Sequence, residues 1–206
     1  MIELYTWKTA NGRKVPIALE ELGLPYRLHP VDLGADEQHR PAYLKLNRHA
    51  KIPTLVDPEG PDGAPVTLCE SGAILIYLAD KTGRLLAKAG APRFKAVQWL
   101  MFEMSGVQPT FAQHNHYSRR APERLPYAID RLAGEIRRLC VVLDARLAEA
   151  TYLAGDDYSI ADIANFAQLM RHNEQGIDLA AFPHIQRWYE GILSRPAVAR
   201  GCAVLR

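Results

Sequence analysis

The sequence predicts a small α/β domain followed by an all-helical one, and three observations carry that reading. Strand-like and helix-like patterns alternate as far as Gly83. The strand signals then stop. From Pro92 onward, apolar residues recur at helical spacing.

Ile2 to Thr6 is a short apolar run of strand type. Gly12 to Leu22 is predicted as a helix, with Asn11 as its N-cap and Gly23 as its stop. Tyr26 to Val31 resumes strand, and Pro41 to Leu46 reads as a short helix. Two further β-rich runs, Thr54 to Val56 and Val66 to Leu68, flank "DPEGPDGAP", whose proline, glycine and aspartate content predicts a hairpin loop. Glu70 to Lys81 is the next helix, closed by Gly83. Its Ala73, Ile74, Ile76, Tyr77, Leu78 and Ala79 leave little polar face, so it is predicted to be covered on both sides and to join the two halves. Strand-helix-strand-helix-strand-strand-helix is the order of a thioredoxin-type unit, in which a parallel crossover precedes a hairpin.

Residues 84–91 read as a linker, which divides the chain into a thioredoxin-like domain over 1–87 and an all-helical domain over 88–206. Helical stripes at Phe94, Val97, Met101 and Met104, and at Ile129, Leu132, Ile136, Leu139, Leu143 and Leu147, are predicted as core. In "DYSIADIANF", Ser159 is placed to cap a helix, with Asp162 three residues on to accept the cap residue's own N–H. Pro183 opens the last long helix, which runs toward Ser194.

Composition excludes several classes. Lys and Arg total 25 against 23 Asp and Glu, a formal charge of +2, too balanced for a protein whose affinity rests on many phosphate contacts. The pairs Arg119-Arg120 and Arg137-Arg138 read as solvated helix faces. Cys69, Cys140 and Cys202 are odd in number and far apart, which argues against a disulfide framework, a zinc site or a dithiol centre and fits a reducing compartment. "MIELYTWK" lacks a basic segment followed by an apolar one, and no apolar run is long enough to span a membrane. A cytoplasmic protein is expected, without metal, nucleic-acid or membrane partners.

Three segments could carry chemistry. In "LYTWKTANGR", a strand runs into a helix N-terminus, which favours a thiolate, yet the junction offers Thr9 and Asn11 and no cysteine. In "KIPTLVD", a cis Ile52–Pro53 bond would turn the Ile52 backbone groups outward to pair with a peptide as an added strand. In "CESGAI", Ser71 and the backbone N–H groups can hold a carboxylate at a helix N-terminus, while Glu70 can accept from an ammonium. Each segment has a plain structural reading, as cap or turn. Together at one sheet edge, they make the layout of a glutathione site.

With those residues in view, the chain resembles the cytosolic glutathione transferases over nearly its whole length. "YTWKTANGRK", "VDLGADEQHRPAYLKLN", "KIPTLVD", "ESGAILIYL" and "PYAIDRL" resemble especially the bacterial nu class, whose members are glutathione-dependent disulfide-bond reductases. The resemblance implies a glutathione transferase fold, a homodimer, and glutathione as bound co-substrate acting on a small disulfide or electrophile. It implies that Glu70 and Ser71 hold the γ-glutamyl head, and that Ile52 pairs with the cysteinyl backbone through cis-Pro53. Thr9 and Asn11 would donate to the sulfur, Gln38 and Lys51 would lie near the glycyl end, and Arg131 would also contact glutathione. The alternatives are a transferase conjugating glutathione to electrophiles, and a binding module of the same fold without turnover. Phe111, His114, Asn115 and His116 are candidates for the second-substrate pocket; two histidines two apart do not share a helix face and make a poor metal pair. Tyr5 and Cys69 are expected to pack rather than react.

Overall fold

The computed structural model describes residues 1–204, which divide into two compact units. The first comprises Met1–Arg84 together with the C-terminal segment from Ser194 onward; the second is Leu85–Leu193.

In the first unit, strands β1 (Ile2–Thr6), β2 (Tyr26–Pro30), β3 (Thr54–Asp57) and β4 (Val66–Cys69) form one sheet in the order β2-β1-β3-β4. β1 and β2 are parallel, β1 and β3 antiparallel, and β3 and β4 make the antiparallel hairpin. Helices α1 (Ala10–Leu22) and α3 (Ser71–Thr82) pack on each other and bury Val15, Ile17, Leu19, Ile74, Leu75 and Leu78, while the short α2 (Pro41–Leu44) sets Tyr43 beside Thr54. Gly23 and Gly83 end α1 and α3 in the left-handed region, at φ 70° and 67°. The hairpin is tied to α3 through Asp57, a buried carboxylate that accepts from the Tyr77 hydroxyl at 2.6 Å and the Glu59 N–H at 2.9 Å and pairs with Lys81 at 2.9 Å.

One expectation is corrected in this unit, and one helix is added to those the sequence predicts. The N-cap of α1 is Thr9, not Asn11: Thr9 is extended at φ −116°, ψ 168°, and its side chain accepts from the Gly12 N–H at 3.0 Å. The helix therefore starts two residues earlier than predicted, and Asn11 lies within its first turn. After Ser194 the chain forms one more short helix. Helix α9 (Pro196–Ala203) follows and lies on α1. Contact is so close that a Cβ on Gly201 would stand 2.6 Å from the Ile17 Cα. Arg195 grips Glu21 through two bonds of 2.6 and 2.9 Å, and Arg200 bonds Glu20 at 2.7 Å.

The second unit contains α4 (Gly90–Phe102), α5 (Gln108–Asn115), α6 (Pro126–Glu149), α7 (Ile160–Leu169) and α8 (Pro183–Leu193). α6 buries Ile136, Leu139, Leu143 and Leu147 of its predicted stripe, while Ile129 and Leu132 are half-buried. α4 departs from expectation. Phe94 and Met101 are 71% and 45% exposed, and Ala96, Trp99 and Leu100 face inward instead. Both sets satisfy helical spacing, and the burial of Trp99 goes with the second. Wider π-helical turns at Glu103–Val107 and His116–Arg120 bracket α5. Among the described residues, no helix is long and apolar enough to cross a membrane.

Candidate functional site

The sheet register gathers the three candidate segments of the first unit. Tyr5 pairs with Thr54, and Thr54 pairs with Cys69, so these residues form one row across three strands. Trp7 to Asn11 follow the end of β1, Ile52 and Pro53 precede β3, and Glu70 and Ser71 follow β4. All three segments therefore leave the sheet at the same end. It is the carboxyl end of the parallel pair β1 and β2, where open α/β sheets place their ligands.

At the first junction the turn is closely packed. The Thr6 hydroxyl donates to the Gly12 carbonyl at 2.9 Å, and the Thr9 N–H donates to the Trp7 carbonyl at 2.8 Å. A Cβ on Gly12 would lie 1.9 Å from the Trp7 oxygen, so only glycine fits there. Thr9 accepts from Gly12, which leaves its hydroxyl proton for another acceptor. Two residues later the Asn11 side chain has a buried Oδ1 with no hydrogen-bond partner among the described residues. A buried polar group without a partner is uncommon and calls for an explanation, of which a ligand is one.

At the second junction the Ile52–Pro53 bond is cis, as expected. Ile52 makes no backbone hydrogen bond to another described residue. The peptide before it is held from two sides: the Lys51 carbonyl accepts from the Tyr43 hydroxyl at 2.5 Å and from Asn47 Nδ2 at 2.8 Å. Tyr43 also bonds Thr54 Oγ1 at 2.9 Å, and burial raises its pKa. Tyr43 and Asn47 thus position this segment, and both escaped the sequence reading. Their spacing of four residues around a short helix was the available signal.

At the third junction Glu70 is exposed and adopts φ 67°, ψ 112°, a conformation a side chain rarely takes and one that local strain accompanies. Ser71, buried, opens α3 behind it. Gln38, on the loop leaving β2, donates to Asp36 at 2.9 Å, while its Oε1 is buried without a partner. Lys51 is exposed.

Neighbouring groups are ill-suited to reaction. The Cys69 thiol lies between Thr54 Oγ1 at 3.9 Å and the Leu46 carbonyl at 3.7 Å, and burial pushes its pKa up. In the second unit, away from these segments in sequence, burial pushes the Cys140 thiol up to about 12. Tyr5 stacks on His29 with ring centroids 4.4 Å apart.

The other candidates belong to the second unit. Phe111 is core, 1% exposed, and so offers no surface to a substrate. His114 is buried, with its Nδ1 2.6 Å from Gln175 Oε1, and Asn115 is buried beside it. His116 is exposed and meets Tyr117 edge-on. Arg131 is exposed on α6. Among the described residues, no cluster of three or more His, Cys, Asp or Glu is arranged to hold a metal ion.

Comparison with known proteins matches residues 10–81 to the glutathione S-transferase N-terminal domain and residues 102–196 to the glutathione S-transferase C-terminal domain. Disulfide-bond oxidoreductase YfcG of Escherichia coli is 44% identical, the alignment covering 97% of this chain and 94% of that protein. Disulfide-bond oxidoreductase YghU of the same organism is 35% identical over 100% of this chain and 75% of that protein. A glutathione transferase from Burkholderia graminis, solved with two glutathione molecules per subunit, superimposes with a TM-score of 0.94 at 43% identity, covering 98% of this chain and 88% of that one. One from Pseudomonas putida, solved with one glutathione disulfide per subunit, gives 0.92 at 39% identity, covering 98% and 91%.

Proposed function

Because the chain belongs to the glutathione S-transferase family, we propose that it is a glutathione-dependent disulfide-bond reductase of the nu class, in which the reactive sulfur arrives with the ligand. The observation that carries this reading is the start of α1, where a cysteine-free helix N-terminus presents the Thr9 hydroxyl with a spare proton. A relative solved with glutathione disulfide agrees with it.

Thr9 and Asn11 are the catalytic pair, donating to the glutathione sulfur beside the positive end of α1. Such donors favour the thiolate, the nucleophile in disulfide exchange, over a thiol whose free pKa is ~8.5. The Asn11 carboxamide serves with its NH2 toward the sulfur. Glu70 takes the ammonium of the γ-glutamyl head, and the Ser71 hydroxyl with the first N–H groups of α3 takes its carboxylate. Ile52, presented by cis-Pro53 and fixed through Tyr43 and Asn47, pairs with the cysteinyl backbone. Gln38 and Lys51 serve the glycyl end, and Arg131 makes a further contact. His116 contributes to the second-substrate pocket.

Thiolate attack on one sulfur of the substrate disulfide forms a mixed disulfide and expels the other sulfur as a thiolate. A second glutathione thiolate attacks the mixed disulfide, giving glutathione disulfide and the second substrate thiol. Two substrate sulfurs are reduced, and two glutathione sulfurs are oxidised.

The working protein is a cytoplasmic homodimer. Exposed Phe94, Met101 and Tyr127 on α4 and α6 give its surface. Light scattering should find particles of twice the 23.0 kDa chain mass at micromolar concentration.

The deciding assay offers the purified protein glutathione with a small model disulfide in one arm and a chlorinated aromatic electrophile in the other. Turnover of the disulfide well above that of the electrophile supports the reading, and the reverse makes the protein a conjugating transferase. The triple replacement of Cys69, Cys140 and Cys202 by Ala or Ser should keep most of the disulfide reductase activity. Near-total loss in the folded variant would assign the chemistry to a protein thiol.

A further inference from the structure

Helix α1 carries a proline, Pro16, in its interior. Proline has no N–H, so the carbonyl four residues earlier, that of Gly12, lacks the donor of the regular helix ladder, and the pyrrolidine ring crowds it besides. Gly12 is buried, where a carbonyl without a donor is costly. A substitute comes from outside the helix. The Thr6 hydroxyl donates to the Gly12 carbonyl at 2.9 Å, and Thr6 is itself wholly buried.

Three residues share this arrangement. Pro16 frees the carbonyl, Thr6 takes it, and Gly12 permits the approach, since a Cβ there would stand 2.8 Å from Thr6 Oγ1. The anchor is fixed in turn. Thr6 ends β1, pairs with Pro30 of β2, and accepts the Val31 N–H on its own carbonyl at 2.9 Å. Its hydroxyl therefore ties the first turn of α1 to the end of the sheet.

The same glycine carries the helix cap. Its N–H donates to Thr9 Oγ1 at 3.0 Å while its carbonyl accepts from Thr6, so Gly12 is held between two threonine hydroxyls, one on each side of its Cα. Thr9 engages Gly12 through its oxygen. Where the Thr9 proton is aimed then depends on where Gly12 stands. A proline kinks its helix in the turn before it, here Gly12 to Pro16, and the Thr6 bond fixes how that turn sits on β1.

We propose that Thr6 is a positioning residue for the thiolate site: its hydroxyl replaces the amide that Pro16 lacks and, through Gly12, sets the Thr9 hydroxyl toward the sulfur of bound glutathione. This rests on the assignment of Thr9 to that sulfur. Thr6, being wholly buried, offers glutathione no surface and acts through Gly12 alone.

The test combines Thr6→Val, Thr6→Ser, Pro16→Ala and the double variant Thr6→Val/Pro16→Ala, with kcat, glutathione KM, ultraviolet titration of the bound thiol and thermal unfolding for each. Thr6→Val removes the donor. It should lower kcat about tenfold and raise the bound-thiol pKa by up to about one unit, with KM changed less than about threefold. Thr6→Ser should recover both. Made on top of Pro16→Ala, Thr6→Val should cost less than about threefold in kcat, because the N–H restored at position 16 then satisfies the Gly12 carbonyl. Equal losses in the two backgrounds would show that Thr6 does not stand in for the missing amide, and the proposal falls. It falls also if Thr6→Val lowers the unfolding temperature while kcat and the thiol pKa stay at wild-type values, which makes the hydroxyl purely structural. Should Thr6→Val not fold, the double variant decides against Pro16→Ala: matching turnover and thiol pKa support the proposal, and a folded double variant whose bound thiol titrates as in free solution overturns it. Failure of the Thr9 assignment is seen separately. Glutathione bound to the wild-type protein would then titrate as it does free, before any substitution is made.

Discussion

α7 and α1 both begin with a hydroxyl N-cap, and their polar groups are treated in opposite ways. At α7, Ser159 and Asp162 form a closed capping box. Asp162 is wholly buried and accepts four hydrogen bonds, from the N–H groups of Leu153 and Ser159, the Ser159 hydroxyl and the Trp188 ring N–H. At α1, Thr9 satisfies one N–H and nothing closes the box; Asn11 Oδ1 and Arg13 Nε are buried without partners. A helix start with every group satisfied is a structural joint. α7 also carries buried oxygens without partners further along, at Asn165 and Gln168, so the contrast lies in the two helix starts, and at α1 the orphaned group is read as part of a binding site.

The contrast is broken most forcefully at Asp162. Asp162→Ala orphans three buried N–H groups and a hydroxyl, and should remove about 3–5 kcal/mol of stability. Urea unfolding measures this. Glutathione affinity of the folded fraction should not change, because the cap has no part in binding. Asp57 is the corresponding satisfied carboxylate of the first unit. Burial pushes its pKa up, but hydrogen bonds from Lys81 and Tyr77 prevail and hold it below the ordinary 3.8. Its contribution is therefore full above that value and is lost as pH falls through the depressed one. Asp57→Asn should cost about 1.5–3 kcal/mol at neutral pH and remove this part of the acid limb of the stability curve.

How far each helix start was legible in the sequence follows from the same contrast. Ser159 and Asp162 were readable because a capping box is local: two residue types at fixed spacing before an apolar run. Sequence favours Asn11 as the cap of α1, because asparagine leads the preference for that position and Gly12 follows it. Tertiary packing decided otherwise. The Thr6 hydroxyl donates to the Gly12 carbonyl, the Trp7 carbonyl leaves no room for a Cβ at Gly12, and the Thr9 side chain takes the Gly12 N–H as the cap. Four strands, the hairpin and the helices they alternate with follow from short-range pattern. α9 was missed because eight residues of mixed polarity carry little periodicity, and its place is set by the contact of Gly201 with Ile17. Of the candidate site, sequence supplies the three segments at the sheet's end. It does not supply Tyr43 or Asn47, whose parts depend on which carbonyl each one meets.

At Thr9 the structural and functional readings coincide. Thr9→Ala removes the cap bond to Gly12 and should cost about 1 kcal/mol. It also takes one donor from the proposed sulfur site, so turnover should fall. Thr9→Ser restores both bonds and should recover stability and kcat together. A stable but inactive Thr9→Ser protein would mean that the threonine methyl, and not its hydroxyl, serves catalysis.

Asn11 separates the two readings. It caps nothing, it occupies a helical position where alanine is the better former, and its buried Oδ1 lacks a partner. Asn11→Ala should therefore leave stability unchanged or raise it by up to about 1 kcal/mol. If the amide donates to the thiolate, loss of a hydrogen bond to a charged group costs ~1.5–3 kcal/mol, roughly one to two decades in kcat. Glutathione KM should move little, because the bond strengthens only as the sulfur gains charge. Glu70→Ala should give the reverse, a raised KM at near-constant kcat, since the γ-glutamyl head is held equally in ground and transition states. Thermal unfolding and steady-state kinetics on the same preparations decide the matter. An Asn11→Ala protein that is stabilised and slowed identifies the orphaned amide as the stability cost of a thiolate site. One that keeps its turnover and its bound-thiol pKa leaves Asn11 as an unsatisfied residue of the first turn, and the difference between α1 and α7 loses its functional meaning.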